Sequence, residues 1–159
     1  MAEYEFFGKK DSAQIIQAIK EQGENICREI LSRDVILQSL QNADFGYVRF
    51  SPLAQIGKKK RGSNTLFVHS FILGKTYFPS DSLFIELVCS RPTARDGGVL
   101  MTLMEQYAIE NGYKRIFLDA IGDERLKRWY MRQGYKITRT IIAGKDGSVK
   151  IWTMIKSLE

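Results

Sequence analysis

The chain has 159 residues, of which 44% are hydrophobic and 26% charged, and its formal net charge is +6. This composition is that of an ordinary soluble globular protein, and the length predicts a single domain over residues 1–159. No apolar run approaches the roughly 18 residues that a membrane-spanning helix needs. Residues 1–10 also lack the basic-then-apolar order of a signal peptide.

Cysteine and histidine are too few to build a metal site or a disulfide framework. The chain contains two cysteines, Cys27 and Cys89, and one histidine. We expect both cysteines to be reduced thiols in a cytoplasmic protein. We expect no metal.

Two helical patterns follow a short first strand, which is predicted over Tyr4–Lys9. The first helix is predicted over Ala13–Gln22, and Gly23 is expected to end it. The second pattern extends from about Asn25 to Asn42, and Arg33–Asp34 can break it into two pieces.

An antiparallel strand pair is predicted next, over Phe45–Leu53 and Leu66–Tyr77. The basic loop Lys58–Arg61 between them is either a solvated hairpin tip or a contact to phosphate or an acidic partner. His69 lies on an apolar face of the second strand. It is either a core residue whose ring nitrogen is satisfied or a catalytic base.

The stretch Ser82–Gly112 predicts a strand, a glycine-containing loop and a helix. The strand is predicted over Ser82–Ser90, and apolar residues recur at helical spacing from Val99 onwards. Two adjacent glycines, Gly97 and Gly98, leave backbone N–H groups uncovered at the positive end of the helix. Such a helix start suits an anionic ligand, most often a phosphate, and Arg95 can reach the same anion.

Glu86 interrupts the apolar strand, on the face that it shares with Phe84, Val88 and Ser90. A carboxylate there must be paired, exposed at an opening or raised in pKa. It is therefore either a structural carboxylate paired with Arg or Lys, or a general base.

The remaining elements are a strand over Tyr113–Ile121, a short helix within Gly122–Tyr135, and a hairpin. Strand, helix and strand in this order form a right-handed crossover, so the two strands are predicted to be parallel neighbours. The hairpin is predicted over Lys136–Ile142 and Val149–Ile155, because Asp-Gly between them is a hairpin turn signal.

Residues 90–104, SRPTARDGGVLMTLM, resemble motif A of the GNAT acyltransferases, V-x-P-x-x-[QR]-G-x-G-[IV]-[GA]-x-x-L-[LM]. Asp96 stands where the family usually has Gly, and Leu100 stands where it has Gly or Ala. An acid next to a pyrophosphate is unfavourable, so Asp96 is expected to weaken cofactor binding. The resemblance implies cofactor contacts at Val88, Cys89, Ser90, Arg95, Asp96, Gly97, Gly98, Val99 and Leu100. Cys89 can instead be a small buried hydrophobe.

Residues 123–135 resemble the family's motif B, N-x-x-A-x-x-x-Y-x-x-x-G-[FY]. Tyr130, Gly134 and Tyr135 match at the family's spacing, and Asp123 stands where Asn is common. Asp123 can cap the helix, and Gly134 is expected to end it in a left-handed conformation. The resemblance places Asp123 with the cofactor-binding residues and implies that Tyr130 is the general acid that protonates the thiolate of CoA. Tyr130 can instead be a core residue of the helix.

The resemblance implies a GNAT-like α/β fold with a mixed, mostly antiparallel sheet flanked by helices and a V-shaped opening between two parallel central strands. It also implies transfer of an acetyl group from acetyl-CoA to an amine, by direct attack in a ternary complex, with Glu86 as the candidate base. The acceptor would be a small-molecule or protein amine, and the protein a monomer or homodimer. The alternative is a non-catalytic, degenerate module that binds CoA weakly or contacts nucleic acid or an acidic protein through Lys58–Arg61.

Overall fold

The computed structural model describes residues 4–8, 12–27, 32–52, 66–77 and 81–159. Within these ranges the chain forms seven strands and four helices. The strands are β1 (Tyr4–Gly8), β2 (Phe45–Pro52), β3 (Leu66–Tyr77), β4 (Ser82–Ser90), β5 (Arg115–Ile121), β6 (Lys136–Ala143) and β7 (Val149–Ser157). The helices are α1 (Ala13–Cys27), α2 (Arg33–Asn42), α3 (Gly97–Glu110) and α4 (Glu124–Arg132). None of these helices is long and apolar enough to cross a membrane.

The described strands form a mixed sheet in the order β1-β2-β3-β4-β5-β7-β6. Antiparallel pairing joins β1 to β2, β2 to β3, β5 to β7 and β6 to β7. The parallel pair is β4 and β5, with Ser82 beside Arg115 and Ile85 beside Leu118. A parallel pair needs a crossover connection, and α3 provides it. The predicted mixed, mostly antiparallel sheet and its parallel pair are both confirmed.

The helices before β2 differ from the prediction. Helix α1 continues past Gly23, which was predicted to end it, as far as Cys27. The glycine serves packing instead, because a Cβ at Gly23 would lie 2.9 Å from Cγ2 of Ile36 in α2. Helix α2 begins after Ser32, whose Oγ accepts the N–H of Val35 at 3.3 Å. Arg33 and Asp34, which were predicted to break the second helical pattern, are the first two residues of α2.

The chain divides into two compact units. The first consists of Met1–Lys75 and Glu86–Gln106. Its core is apolar and is formed by the first three strands, α1, α2 and the end of β4. Its buried residues include Phe7, Ile19, Ile26, Ile36, Val48, Phe71, Leu73 and Leu87. Each such side chain contributes about 1.5–3 kcal/mol when it is fully removed from water.

The second unit consists of Thr76–Ile85 and Tyr107–Glu159. Strand β5 pairs with β7 along its whole length, from Arg115 beside Ser157 to Ile121 beside Ile151. The predicted β6–β7 hairpin is confirmed, and its turn has positive φ angles at Gly144 and Gly147. The buried residues of this unit include Leu83, Ile85, Ile116, Leu118, Ala120, Tyr130, Tyr135, Trp152 and Met154.

The two cysteines are bonded to each other, so the prediction of reduced thiols is wrong for this structure. The sulfur atoms of Cys27 and Cys89 are 2.04 Å apart and the Cα atoms 4.9 Å apart. Cys27 is the last residue of α1, and Cys89 belongs to the core on which α1 packs. Burial of α1 therefore brings together two thiols that are 62 positions apart in the sequence.

Candidate active site

The end of β4 has the alternation that the sequence predicted. Leu83, Ile85, Leu87 and Cys89 are buried. The intervening Phe84, Glu86, Val88 and Ser90 are only partly buried. The Cys89 side chain is buried and its sulfur is bonded to Cys27, so a contact to the cofactor at this residue would be made by its backbone and stays a prediction.

A tight turn connects β4 to α3. The carbonyl oxygen of Arg91 accepts the N–H groups of Ala94 at 2.9 Å and Arg95 at 3.3 Å, and the hydroxyl of Ser90 donates to the same oxygen at 3.2 Å. Arg95 has a φ angle of 52° and an exposed side chain. A positive φ is uncommon for a residue with a side chain and persists where the surrounding structure imposes it.

Asp96 follows this turn, and its carboxylate points into the first unit. The Tyr4 hydroxyl donates to Oδ1 at 2.6 Å, and the Ser70 hydroxyl donates to Oδ2 at 2.7 Å. Arg49 Nη1 lies 2.9 Å from Oδ2 and 3.2 Å from Oδ1. The backbone N–H of Asp96 donates to Ser90 Oγ at 2.9 Å. We call Tyr4, Arg49, Ser70 and Asp96 the Asp96 cluster.

The register of the sheet explains how this cluster assembles. Tyr4 of β1 lies opposite Arg49 of β2, and Arg49 lies opposite Ser70 of β3. The three side chains therefore form a row across three strands. The pairing then shifts, so that Phe50 lies opposite Val68. His69 is consequently the extra residue of a β-bulge next to Ser70.

The cluster keeps the Asp96 carboxylate ionised. Burial alone would raise its pKa, but hydrogen bonds from Tyr4, Ser70 and Arg49, together with the Arg49 charge, lower the pKa below the ordinary 3.8. Burial, followed by the hydrogen bond to Asp96 and the charge of Asp96, raises the pKa of Tyr4 to about 12. The Tyr4 phenol therefore remains a donor at any ordinary pH.

The start of α3 is open. The first four N–H groups of a helix have no acceptor within the helix, and a residue such as Asp96 commonly caps them with its side chain. Here the Asp96 carboxylate instead accepts hydrogen bonds from Tyr4, Arg49 and Ser70. No described side chain accepts a hydrogen bond from the N–H groups of Gly97, Gly98 or Val99. A Cβ at Gly98 would meet nothing within 4 Å, and Val99 is exposed.

This geometry bears on Asp96 and Leu100, whose contacts to the cofactor stay predictions. Asp96 was expected to oppose the anion, but the residue is only 4% exposed and its carboxylate is turned into the cluster. Leu100 is fully buried, and its N–H donates to the Asp96 carbonyl at 2.9 Å. The groups available to an anion are therefore the N–H groups of residues 97–99 and the Arg95 side chain.

Glu86 is ion-paired, with Oε1 lying 2.9 Å from Nζ of Lys75 in the neighbouring strand β3. The Glu86 side chain is 10% exposed and that of Lys75 is 32% exposed. This pairing is what a structural carboxylate in an apolar strand requires. It favours the structural interpretation of Glu86 over its role as a base.

His69 has a satisfied ring nitrogen, because Nε2 lies 2.8 Å from Ser51 Oγ. The ring also meets the edge of the Phe67 ring, with their centroids 5.1 Å apart. Burial lowers the pKa of His69, and the charges of Arg49 and Arg91 act in the same direction, while Asp96 opposes them. The imidazole is therefore neutral near pH 7, in a position typical of a core histidine.

In the second unit, residues 123–135 form the predicted N-cap of α4 and the predicted left-handed turn after it. The Asp123 side chain caps α4, since Oδ1 accepts the N–H of Arg125 at 2.8 Å. The cofactor contact that the resemblance implies for Asp123 stays a prediction. Gly134 has a φ of 98°, as predicted, and the N–H of Tyr135 returns to the Tyr130 carbonyl at 3.2 Å.

Tyr130 is buried, with 7% of its surface exposed. Its ring packs edge-on against Trp129 and Tyr135 at centroid distances of 5.1 and 5.9 Å. Burial raises the pKa of its hydroxyl to about 12. The phenol therefore keeps its proton at neutral pH, as a proton donor must, although it is a weaker acid than a free tyrosine.

Comparison with solved structures identifies the fold. A protein from Desulfovibrio desulfuricans assigned to the acetyltransferases of the GNAT family superposes with a TM-score of 0.65 at 9% identity, covering 99% of this chain and 100% of that one. The ribosomal-protein-S18-alanine N-acetyltransferase of Escherichia coli gives a TM-score of 0.66 at 9% identity, covering 99% and 95%. This chain has the GNAT fold.

A third protein, assigned as a streptothricin acetyltransferase of Bacillus anthracis and solved with acetyl coenzyme A, gives a TM-score of 0.55 at 15% identity, covering 83% of this chain and 70% of that one. Neither a protein-family model nor a curated protein matches the sequence. The GNAT fold is therefore established by structure, at sequence identities too low to transfer an activity.

Sequence reasoning did not include Tyr4, Arg49 or Ser70 in the site of this GNAT fold. Arg49 carried a weak signal, because it is a charged residue within the alternating strand Phe45–Leu53. Nothing in the sequence linked it to Asp96. The arginine near Asp96 in the chain, Arg91, donates to the Val68 carbonyl at 2.8 Å and to Gln22 Oε1 at 3.3 Å.

The basic loop Lys58–Arg61 lies outside the described residues. Its two interpretations, a solvated hairpin tip and a contact to phosphate or an acidic partner, both stay predictions.

Proposed function

We propose that the protein is an N-acetyltransferase that moves an acetyl group from acetyl-CoA to an amine within a ternary complex. The observation that carries this proposal is the open start of α3, with Gly98 facing empty space and Arg95 exposed beside it. Backbone N–H groups at a positive helix end are suited to the pyrophosphate of CoA. The GNAT fold supports the same assignment by analogy.

The reaction replaces the C–S bond of the thioester with a C–N bond to the amine. The lone pair of a neutral amine attacks the thioester carbonyl carbon, a C–N bond forms, and the C–S bond breaks to release the thiolate of CoA. The amine nitrogen loses a proton and the thiolate gains one. We assign the backbone N–H groups of Val88–Ser90 to polarising the thioester carbonyl, and the Tyr130 hydroxyl to protonating the thiolate.

Glu86 is the candidate that the resemblance gives for the group that removes the amine proton, and its contact with Lys75 favours a structural role instead. Its ion pair with Lys75 makes the role of a base demanding, because the carboxylate must accept a proton while its cation is 2.9 Å away. A chain of water molecules could replace it. Glu86→Gln should lower turnover if Glu86 is the base, and Lys75→Met tests whether loss of the ion pair alone has the same effect.

The acceptor is an amine of a small molecule or a protein. The neighbours named above act on different acceptors, one on an alanine of a ribosomal protein and the other on streptothricin, according to their names. The fold alone therefore does not choose between these classes. A panel of amines assayed with labelled acetyl-CoA would identify the class.

The rival proposal, a non-catalytic module, loses one of its two reasons. It rested on Asp96 and Leu100 as marks of a degenerate pocket. The Asp96 carboxylate is directed away from the start of α3 and is paired with Arg49. The argument that it repels a pyrophosphate is correspondingly weaker.

Gly98→Ala tests the proposal directly. A Cβ at this position meets no protein atom within 4 Å, and Ala is a better helix former than Gly, so the free energy of unfolding should not fall. The methyl group would occupy space that the pyrophosphate needs. The Kd for CoA, measured by calorimetry, should rise at least about tenfold, because one hydrogen bond to a charged group is worth about 1.5–3 kcal/mol.

Gly8→Ala is the matched control, because a Cβ at Gly8 in β1 also meets nothing within 4 Å. This variant should bind CoA as the wild type does. Failure of the wild-type protein to bind CoA, or unchanged affinity in Gly98→Ala, would contradict the assignment.

The predicted cytoplasmic location remains a proposal. Disulfides are rare in reducing compartments such as the cytoplasm, so a Cys27–Cys89 bond argues against a cytoplasmic location. Titration of free thiols in protein isolated without reductant would decide which of them holds.

A further inference from the structure

The geometry points to Asp96 as a positioning residue that prepares the start of α3 for the CoA pyrophosphate. This inference rests on the proposed function. It reverses the expectation from sequence, in which Asp96 opposes the cofactor and Asp96→Gly tightens binding. In the structure the residue supports the anion site without being available to touch the ligand.

The first step concerns the charge of Asp96. Its carboxylate is buried and receives three side-chain donors, one of which is the cationic Arg49. The Arg49–Asp96 pair has no net charge, so the repulsion expected between Asp96 and a nearby pyrophosphate is largely cancelled. The exposed Arg95 on the same loop then makes the electrostatic potential at the start of α3 positive.

The second step concerns the N–H groups of α3. The residue before a helix normally turns its carboxylate back to accept the N–H groups of the first turn. In that arrangement the Asp96 carboxylate would compete with an anionic ligand for the same donors. The Asp96 cluster holds it in the opposite direction, so the cluster keeps these donors available.

The third step concerns the shape of the loop. Arg95 has a positive φ of 52°, a conformation that its neighbours must impose. Asp96 is tied down at both its side chain and its backbone, since its N–H donates to Ser90 Oγ at 2.9 Å. Ser90 Oγ in turn donates to the Arg91 carbonyl, which closes the turn. Asp96 thus joins the loop to β1, β2 and β3.

The experiment compares acetyl-CoA with S-acetyl-pantetheine, a shorter acyl donor that lacks the pyrophosphate and the adenosine phosphate attached to it. In Asp96→Gly, which restores the residue typical of motif A, the KM for acetyl-CoA should rise about 10–100-fold, the range for loss of one hydrogen bond to a charged group. The turnover rate at saturating acetyl-CoA and the kcat/KM for S-acetyl-pantetheine should stay near wild type.

Tyr4→Phe and Arg49→Lys keep the inference testable if Asp96→Gly does not fold. Tyr4→Phe removes one donor and no packing volume, so it should raise the KM for acetyl-CoA in the same direction but less. Arg49→Lys preserves the cation and should retain most of the affinity. Arg49→Met, which removes the cation at similar length, should not.

Three results would overturn the inference. One is a variant at Asp96 that binds CoA as tightly as wild type or more tightly, above all at low salt, where an unscreened repulsion would be largest. Another is an equal loss of activity with both acyl donors, which would make the cluster structural only. The third is a wild-type protein that binds no CoA. This last result concerns the wild type alone, so it would show that the proposed function is wrong, independently of the role of Asp96.

Discussion

The loop before α3 takes its shape from residues far away in the chain, whereas the turn after α4 takes its shape from its neighbours. In the loop, Asp96 is held by Tyr4, 92 positions away, by Arg49, 47 positions away, and by Ser70, 26 positions away. At the two ends of α4, the N-cap Asp123 and the left-handed Gly134 are set within about one dozen residues.

This difference explains which motif could be interpreted reliably. A local motif carries its conformation in its own spacing, so its turn and cap are readable from sequence. A departure inside a loop can be evaluated only when its distant partners are known. Four experiments test the residues of these two regions and the contacts that hold them. They are given in order, from the largest expected effect to the smallest.

Tyr130→Phe should have the largest effect. Removing the hydroxyl while keeping the ring preserves its packing against Trp129 and Tyr135, so the melting temperature should change little. Turnover should fall about 10²–10⁴-fold, the usual contribution of a positioned proton donor. Calorimetry should show near-normal binding of acetyl-CoA, because the proton is needed only when the thiolate leaves.

Wild-type turnover in a normally folded Tyr130→Phe would exclude Tyr130 as the acid and leave water in that role. A lower melting temperature, with activity lost in proportion to folded protein, would instead support the core interpretation of Tyr130. The raised pKa of about 12 predicts that the phenol does not titrate in the neutral range. The shape of the pH–rate profile in the neutral range should therefore be the same in wild type and in this variant.

Loss of the Cys27–Cys89 bond should have the next largest effect. It closes a loop of 62 positions, so its removal should lower the free energy of unfolding by about 4 kcal/mol in the chain-entropy model. Denaturant unfolding of the wild type with and without reductant measures this. Cys27→Ser should be as unstable as the reduced wild type and insensitive to reductant. Two free thiols in unreduced wild type would restore the prediction of reduced cysteines.

Arg95→Ala should weaken CoA binding by about 1.5–3 kcal/mol, the range for a hydrogen bond to a charged group. The side chain is exposed. Ala and Arg are equally unsuited to the positive φ at this position, so the substitution should not change the free energy of unfolding through the backbone. Calorimetry with CoA and with pantetheine should show the loss for CoA alone. Equal affinity of wild type and variant for CoA would remove Arg95 from the site.

The pH dependence of stability gives the smallest effect. The pKa of Asp96 in the folded protein lies below its ordinary 3.8, so the folded state binds fewer protons than the unfolded state near that pH. The ionised carboxylate therefore stabilises the fold fully above pH 3.8, and this contribution is lost as the pH falls through the lower folded value.

Asp96→Asn removes that contribution. The stability difference between wild type and Asp96→Asn, from denaturant unfolding at several pH values, should be largest above pH 4 and should shrink as the pH falls. A difference that is constant with pH would mean that Asp96 is not held as an ion by the cluster.

The sequence by itself determined the elements whose cause is local. The apolar residues of β3 and β4 predicted the spans of these strands. The order of β4, α3 and β5 predicted a parallel pair, because the connecting helix returns the chain to the same end of the sheet. Gly134 was identifiable as the left-handed end of α4 because a residue without Cβ adopts that conformation at little cost. The two motifs also predicted the GNAT fold that the structure shows.

Tertiary structure decided every feature that depends on a distant partner. The sheet register and its bulge bring Arg49 and Ser70 to Asp96, and this reverses the direction of the carboxylate. Packing of α1 on the core brings Cys27 to Cys89, and packing of α2 against α1 accounts for Gly23 inside a helix. These contacts join residues far apart in the chain, so no local periodicity or propensity carries information about them.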